Sequence, residues 1–193
     1  MSARGLRRRA ADLADFRRLT DGEAEALLAA RKQVNEPVKW LPSKVVDGAV
    51  AEVRMGVTVL SPIGEHLAVS GRVSARKPHA SHWMLVWGSK AHREHPETIR
   101  RLDLRDDHVN PDGKAWAAQT HKHLWSATEN NAWAYTPDDI PHDPAPLPVG
   151  AEDYHAVFEA FTGELGIALG PDYTWSDPQL PPVQPPDTLW EVP

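Results

Sequence analysis

Within residues 99–125, IRRLDLRDDHVNPDGKAWAAQTHKHLW, two histidines stand one residue apart in THKHLW, and His108 precedes them just before Asn110-Pro111-Asp112-Gly113. Seven of the ten histidines fall between residues 79 and 123, so this part of the chain concentrates the ionisable chemistry. On an extended strand residues i and i+2 share a face, which puts His121 and His123 side by side, about 7 Å apart at Cα for a rise of roughly 3.4 Å per residue. Two imidazoles at that spacing suit either of two chemistries. They can supply two ligands to a divalent metal such as zinc, with His108, Asp112 or Asp103 completing the set. They can also divide into base and acid for metal-independent RNA cleavage, one taking the 2′-OH proton and the other protonating the departing 5′ oxygen. Arg101 or Arg105 would then bind the phosphate through parallel guanidinium donors. A plainer reading competes with both: an H-x-H strand is often a half-exposed sheet edge, and alternating Arg101, Asp103 and Arg105 a salt-bridged outer face.

Composition narrows the choice of ligands and of compartment. The chain has 193 residues and no Cys, which excludes disulfides, thiolate nucleophiles and cysteine-ligated zinc, and leaves His, Asp and Glu as metal ligands. Its length suits one main core with appendages. No apolar run is long enough to cross a bilayer, and MSARGLRRRAADLADF lacks a signal-peptide core, so the expectation is a soluble, cytoplasmic protein with no membrane partner. The net charge of −6 is uneven: residues 1–18 hold six Arg against Asp12 and Asp15, a segment of +4 that leaves −10 for the remainder. An acidic body argues against broad nucleic-acid binding, while the basic arm could touch phosphates or an acidic partner.

The elements that must position the histidines are readable from periodicity. Residues 8–33 are rich in Ala, Leu, Glu and Arg, and Thr20 followed by Glu23 has capping-box spacing, which predicts two helices with the second starting there. VDGAVAEVRMGVTVLSP, EHLAVSGRVSAR and SHWMLVWGSK read as three strands, PETIRRLDLR as a fourth, and THKHLW and NAWAY as a fifth and sixth. Leu102 and Leu104 face one side of the fourth strand, and Arg101, Asp103 and Arg105 the other. By the same period His121, His123 and Trp125 share a face. His79, His82, His92 and His95 flank strand ends and read as surface residues. EDYHAVFEAFTGELGIAL is an amphipathic helix, and the Pro-rich stretch after it reads as an extended surface tail. The prediction is an α+β fold: N-terminal helices (1–36), then an α+β domain (37–172) with a five- or six-stranded, mainly antiparallel meander sheet and a C-terminal helix on one face, then a Pro-rich tail (173–193).

The ordered motifs RRLDL, H-x-NPDG, H-x-H, W-A-Y and a helix ending FTGELGI resemble a domain family of unknown function found in phages, prophages and mobile islands of bacteria. More distantly they resemble the TumE-type toxins of toxin–antitoxin systems, which carry a basic strand, a His and a following H-K-H. The resemblance covers residues 98 to about 172 and carries over His108, Asn110, Asp112, His121 and His123, with Asn110 and Asp112 in turn-forming or orienting roles. It implies a phage or mobile-element context, and with the chemistry of the histidines the first expectation is a toxin- or defence-type protein acting on RNA through His121 and His123, with His108 assisting, and with a protein partner. The alternative is a non-catalytic binding protein, an inhibitor or antitoxin-like partner, whose histidines are structural or metal-binding.

Overall fold

The computed structural model describes residues 19–63, 66–75, 81–88, 96–136 and 151–180. Helix α1 (Asp21–Ala29) begins where the capping box predicts: the Thr20 hydroxyl accepts from the Glu23 N–H, and the Glu23 carboxylate accepts from the Thr20 N–H. It ends earlier than its composition suggests, and Lys32–Val34, expected to be helical, form strand β1. Lys32 closes the helix from outside. Its buried ammonium donates to the carbonyls of Leu27, Leu28 and Ala30, which have no partner further along the helix. The expected helix at 8–18 lies outside the described residues.

The main sheet has seven strands, one more than the upper expectation: β2 (Trp40–Val46), β3 (Ala49–Val59), β4 (Leu67–Ser74), β5 (Ser81–Trp87), β6 (Glu97–Val109), β7 (Ala115–Ser126) and β8 (Asn130–Tyr135). Each pairs antiparallel with the next in chain order, so the meander stands as predicted. The additional strand is β2, which turns into β3 at Asp47-Gly48, both at positive φ (52° and 79°), the backbone of a two-residue hairpin. A small parallel pair, β1 with β9 (Ile167–Leu169), was also not foreseen.

Helix α2 (Ala151–Glu164) covers one face of the sheet, as expected. Its Phe158 and Phe161 are fully buried, and Phe158 lies 5.9 Å from Trp83 of β5. The helix-side face shows why these segments form strands: Val53, Met55, Val57 and Val59 alternate with exposed residues along β3, and a cross-strand row runs Met55, Gly71, Trp83, Leu102 and Lys122. Gly71 makes room for Trp83, since a Cβ there would stand 2.8 Å from Trp83 Cζ3. Lys122 in this row sets its ammonium 2.6 Å from Glu164 of α2. The chain leaves α2 at Gly166, φ 63°, a left-handed turn that converts the expected last helical turn into β9. Beyond it Val38 N–H donates to Thr174 O, Trp40 Nε1 to Ser176 O, and Trp175 lies 5.4 Å from Phe158. The described start of the Pro-rich stretch is thus laid on the core; 181–193 lie outside the described residues. Trp125, expected beside the histidines, packs against this core, after a register shift beyond Leu124 has broken the alternation. Among the described residues no helix is long and apolar enough to cross a membrane.

Candidate metal centre

Alternation sends every second residue of the central strands away from α2, and there the register builds a second row: Arg72, His82, Asp103 and His121, flanked by Met84, Arg101, His123 and Ala134. A regular ladder would then put Arg105 on this face and turn His108 off it. Two bulges change that. Asp103 pairs with His121, Asp106 with Gln119 and His108 with Trp116, so β6 takes one extra residue first and β7 one extra residue after it. Arg105 and Ala118, both at φ 49°, are the extra residues. In consequence Asp106 takes the place expected for Arg105, and His108 joins the face that carries His121 and His123.

The three imidazoles meet. His108 lies 5.4 Å from His121 and 4.6 Å from His123 between ring centroids, and those two lie 5.0 Å apart. One ring nitrogen from each is within 4.8 Å of the others. His121 and His123 are 0% exposed, as is Asp103 between them.

Hydrogen bonds assign which nitrogens are available. His121 Nδ1 is 2.9 Å from the Gln119 carbonyl and His123 Nδ1 is 2.7 Å from that of Asn131. A carbonyl only accepts, so both Nδ1 atoms carry hydrogen and both Nε2 atoms face inward. His108 is held the other way round, with Nε2 at 3.1 Å from both Asn110 Oδ1 and Ala132 O. Asn110 makes this unambiguous: its Oδ1 accepts from Ala134 N–H at 2.8 Å and its Nδ2 donates to Ala134 O at 3.1 Å, so Oδ1 is the atom facing His108. His108 therefore keeps Nδ1 as its lone-pair nitrogen when neutral. Each imidazole thus has one nitrogen held by a backbone carbonyl or an amide oxygen, as outer-shell partners hold metal-ligating histidines.

His123 Nε2 and His121 Nε2 approach the same atom, Asp103 Oδ2, at 3.3 and 3.5 Å. His121 Nε2 is buried without a hydrogen-bond partner. Two neutral rings would turn lone pairs onto a carboxylate oxygen, which repels them in a dry interior, so positive charge is required between them: protons or a metal ion. On its other side Asp103 accepts from His82 Nδ1 at 3.2 Å and from both Nε and Nη2 of Arg101. His82 Nε2 is 3.0 Å from Asp106 Oδ2. Burial alone would raise the Asp103 pKa, but the close approach of His121, His123, His82 and Arg101 outweighs it and holds the carboxyl far below the usual carboxylate range.

The structure brings together His108, His121, His123, Asn110 and Arg101 of the residues expected to form a site, and adds Asp103, one of the expected completing ligands. Arg105 sits at its bulge instead. Asp112 stays in the exposed turn, where it accepts from Lys114 N–H at 2.9 Å. His82 and Asp106 were not foreseen as members, and His82, expected on the surface, is mostly buried, its side chain being 14% exposed. The signal for His82 was the alternation of SHWMLVW, which places it opposite the Trp face; Asp106 gave none, because only the bulge turns it inward.

Residues 88–164 match the model of a family of unknown function (DUF6978), a stretch that contains Asp103, His108, Asn110, His121 and His123 but not His82. No curated protein and no solved structure matches the chain.

Proposed function

We propose that this protein is a non-catalytic, divalent-metal-binding protein in which Asp103, His108, His121 and His123 hold one ion of the zinc type. The observation that supports it is the convergence of two tethered, buried imidazoles on a single carboxylate oxygen, with one ring nitrogen of His108 within 4.8 Å of one from each of them. Three nitrogens and one oxygen complete a tetrahedral set, as in structural zinc sites; catalytic ones keep a position open. The same burial supports metal binding over metal-independent RNA cleavage, which needs both imidazoles at the reacting atoms in a bound strand. The ion's contribution would be to fasten β6 to β7 and so stiffen the sheet for partner binding. Leu41 and Val45, 63% and 59% exposed on the outer strand β2, support a protein as that partner.

Elemental analysis of the purified chain beside the double variant His121→Ala, His123→Ala tests the reading. One equivalent of metal, lost in the double variant, is expected. A chelator should lower the melting temperature and zinc restore it, an ion at a hundred times its Kd adding about 2.7 kcal/mol. Absence of metal in the native chain, with a melting temperature indifferent to zinc and to chelator, would overturn it.

A further inference from the structure

Two of the three imidazoles of the centre are wholly buried, so an ion must have a way in, and the side chains touching Asp103 differ sharply in exposure. His121 and His123 are wholly buried, whereas Arg101, His82 and, through His82, Asp106 reach solvent at 32%, 14% and 19%. His82 and Asp106 together with Asp103 form a second group whose ligand atoms lie within 4.8 Å of one another. They share Asp103 with the buried centre: His82 meets Oδ1 while His121 and His123 meet Oδ2. The two groups are therefore not separate sites but two ends of one carboxylate.

We propose, resting on the metal reading above, that His82 and Asp106 are the port through which a divalent cation reaches Asp103 and leaves it, with Arg101 as its gate. The chemistry is stepwise ligand exchange. A hydrated ion loses water more readily when each lost ligand is replaced in turn, and an imidazole with a carboxylate at the rim provides the first two replacements. Asp103 then carries the ion from its Oδ1 side to its Oδ2 side, where His121, His123 and His108 complete the shell. Arg101 occupies both oxygens of Asp103 and is also 3.5 Å from His82 Nδ1, so its guanidinium has to swing out before an ion can bridge. Its one-third exposure gives it room to do so. Approach from the opposite side, past His108, is less suited. That ring is pinned by Asn110 and Ala132, and the Lys114 ammonium stands 4.7 Å over the neighbouring Trp116 ring, where it repels a cation.

A port speeds uptake and release by the same factor, so it changes rates and leaves the equilibrium alone. The test is stopped-flow transfer of zinc between a chromophoric chelator and the full-length chain in both directions, with equilibrium affinity measured in parallel. His82→Ala and, as the milder change, Asp106→Asn should slow uptake and release by the same factor. Arg101→Ala should speed both. Unchanged rates in His82→Ala and Asp106→Asn, with zinc still bound, would overturn the port and leave the metal centre standing. A loss of affinity matching the slower uptake, with release unaltered, would also overturn it, since His82 would then hold the bound ion in place. Failure of the native chain to bind zinc at all would remove the centre and the port together.

Discussion

His121 and Asp103 face each other directly across the β6–β7 ladder, with Nε2 of the first 3.5 Å from Oδ2 of the second and neither side chain exposed to solvent. In the metal-free chain this carboxylate is paired with the Arg101 guanidinium. Asp103→Asn keeps the shape and removes the charge, leaving Arg101 and the histidines facing a neutral amide that accepts at one atom only, a loss of roughly 3 kcal/mol on the scale of broken buried ion pairs. Urea unfolding with and without zinc measures both consequences. The variant should be less stable, and zinc should no longer raise its midpoint; a midpoint that still responds to zinc as the native chain does would mean that the carboxylate is not a ligand.

Asn110 stands in for a strand residue, pairing with both polar groups of Ala134 while its Oδ1 holds His108. Asn110→Ala leaves the Ala134 N–H and C=O without these partners, at roughly 1–3 kcal/mol. It also frees the His108 ring, which should weaken zinc binding about 10- to 100-fold. Asp112→Ala, two residues on but exposed in the turn, should leave zinc affinity as it was. Competition titration against a chelator separates the two, and equal affinities in both variants would show that His108 needs no such tether.

Tyr173 is positioned to make the fold sensitive to alkali. It stacks on Phe158 at 5.8 Å, and its hydroxyl is 3.1 Å from His155 Nε2. Burial, and after it the negative charge of Glu159, pushes the phenol up to about 12. A proton held more tightly in the folded chain stabilises it fully below the unfolded value near 10, and that contribution is lost as the pH climbs from about 10 to about 12. Tyr173→Phe removes this part of the pH dependence. Its urea midpoint should therefore fall less than that of the native chain over that interval, and parallel curves would assign the alkaline loss elsewhere.

Patterns of period two and of period 3.6 made most of the architecture legible. The apolar alternation of β3, β4 and β5, the Tyr154–Phe158–Phe161 stripe of α2 and the Thr20 capping box each correspond to a described element. Strand β2 was hidden because Pro42 and Ser43 interrupt it, and its outward residues carry no core pattern. The shared face of His121 and His123 was legible, but their burial was not, since H-K-H is polar throughout. Lys122 is nearly as buried as they are, because Glu164 reaches it from α2, a contact that no local pattern announces. The exchange of Arg105 for Asp106 had no sequence signal, since the bulge residues Arg105 and Ala118 are not the glycines that usually mark positive φ.

Those two bulges work as a matched pair of insertions, one per strand, the second restoring the phase that the first has shifted. A single residue added to or deleted from β6 alone would leave Asp103 opposite His121 but swing His108 to the far side of the sheet. Length changes in this hairpin are therefore tolerable only in pairs, and any attempt to move the centre into another antiparallel hairpin has to carry both bulges with it.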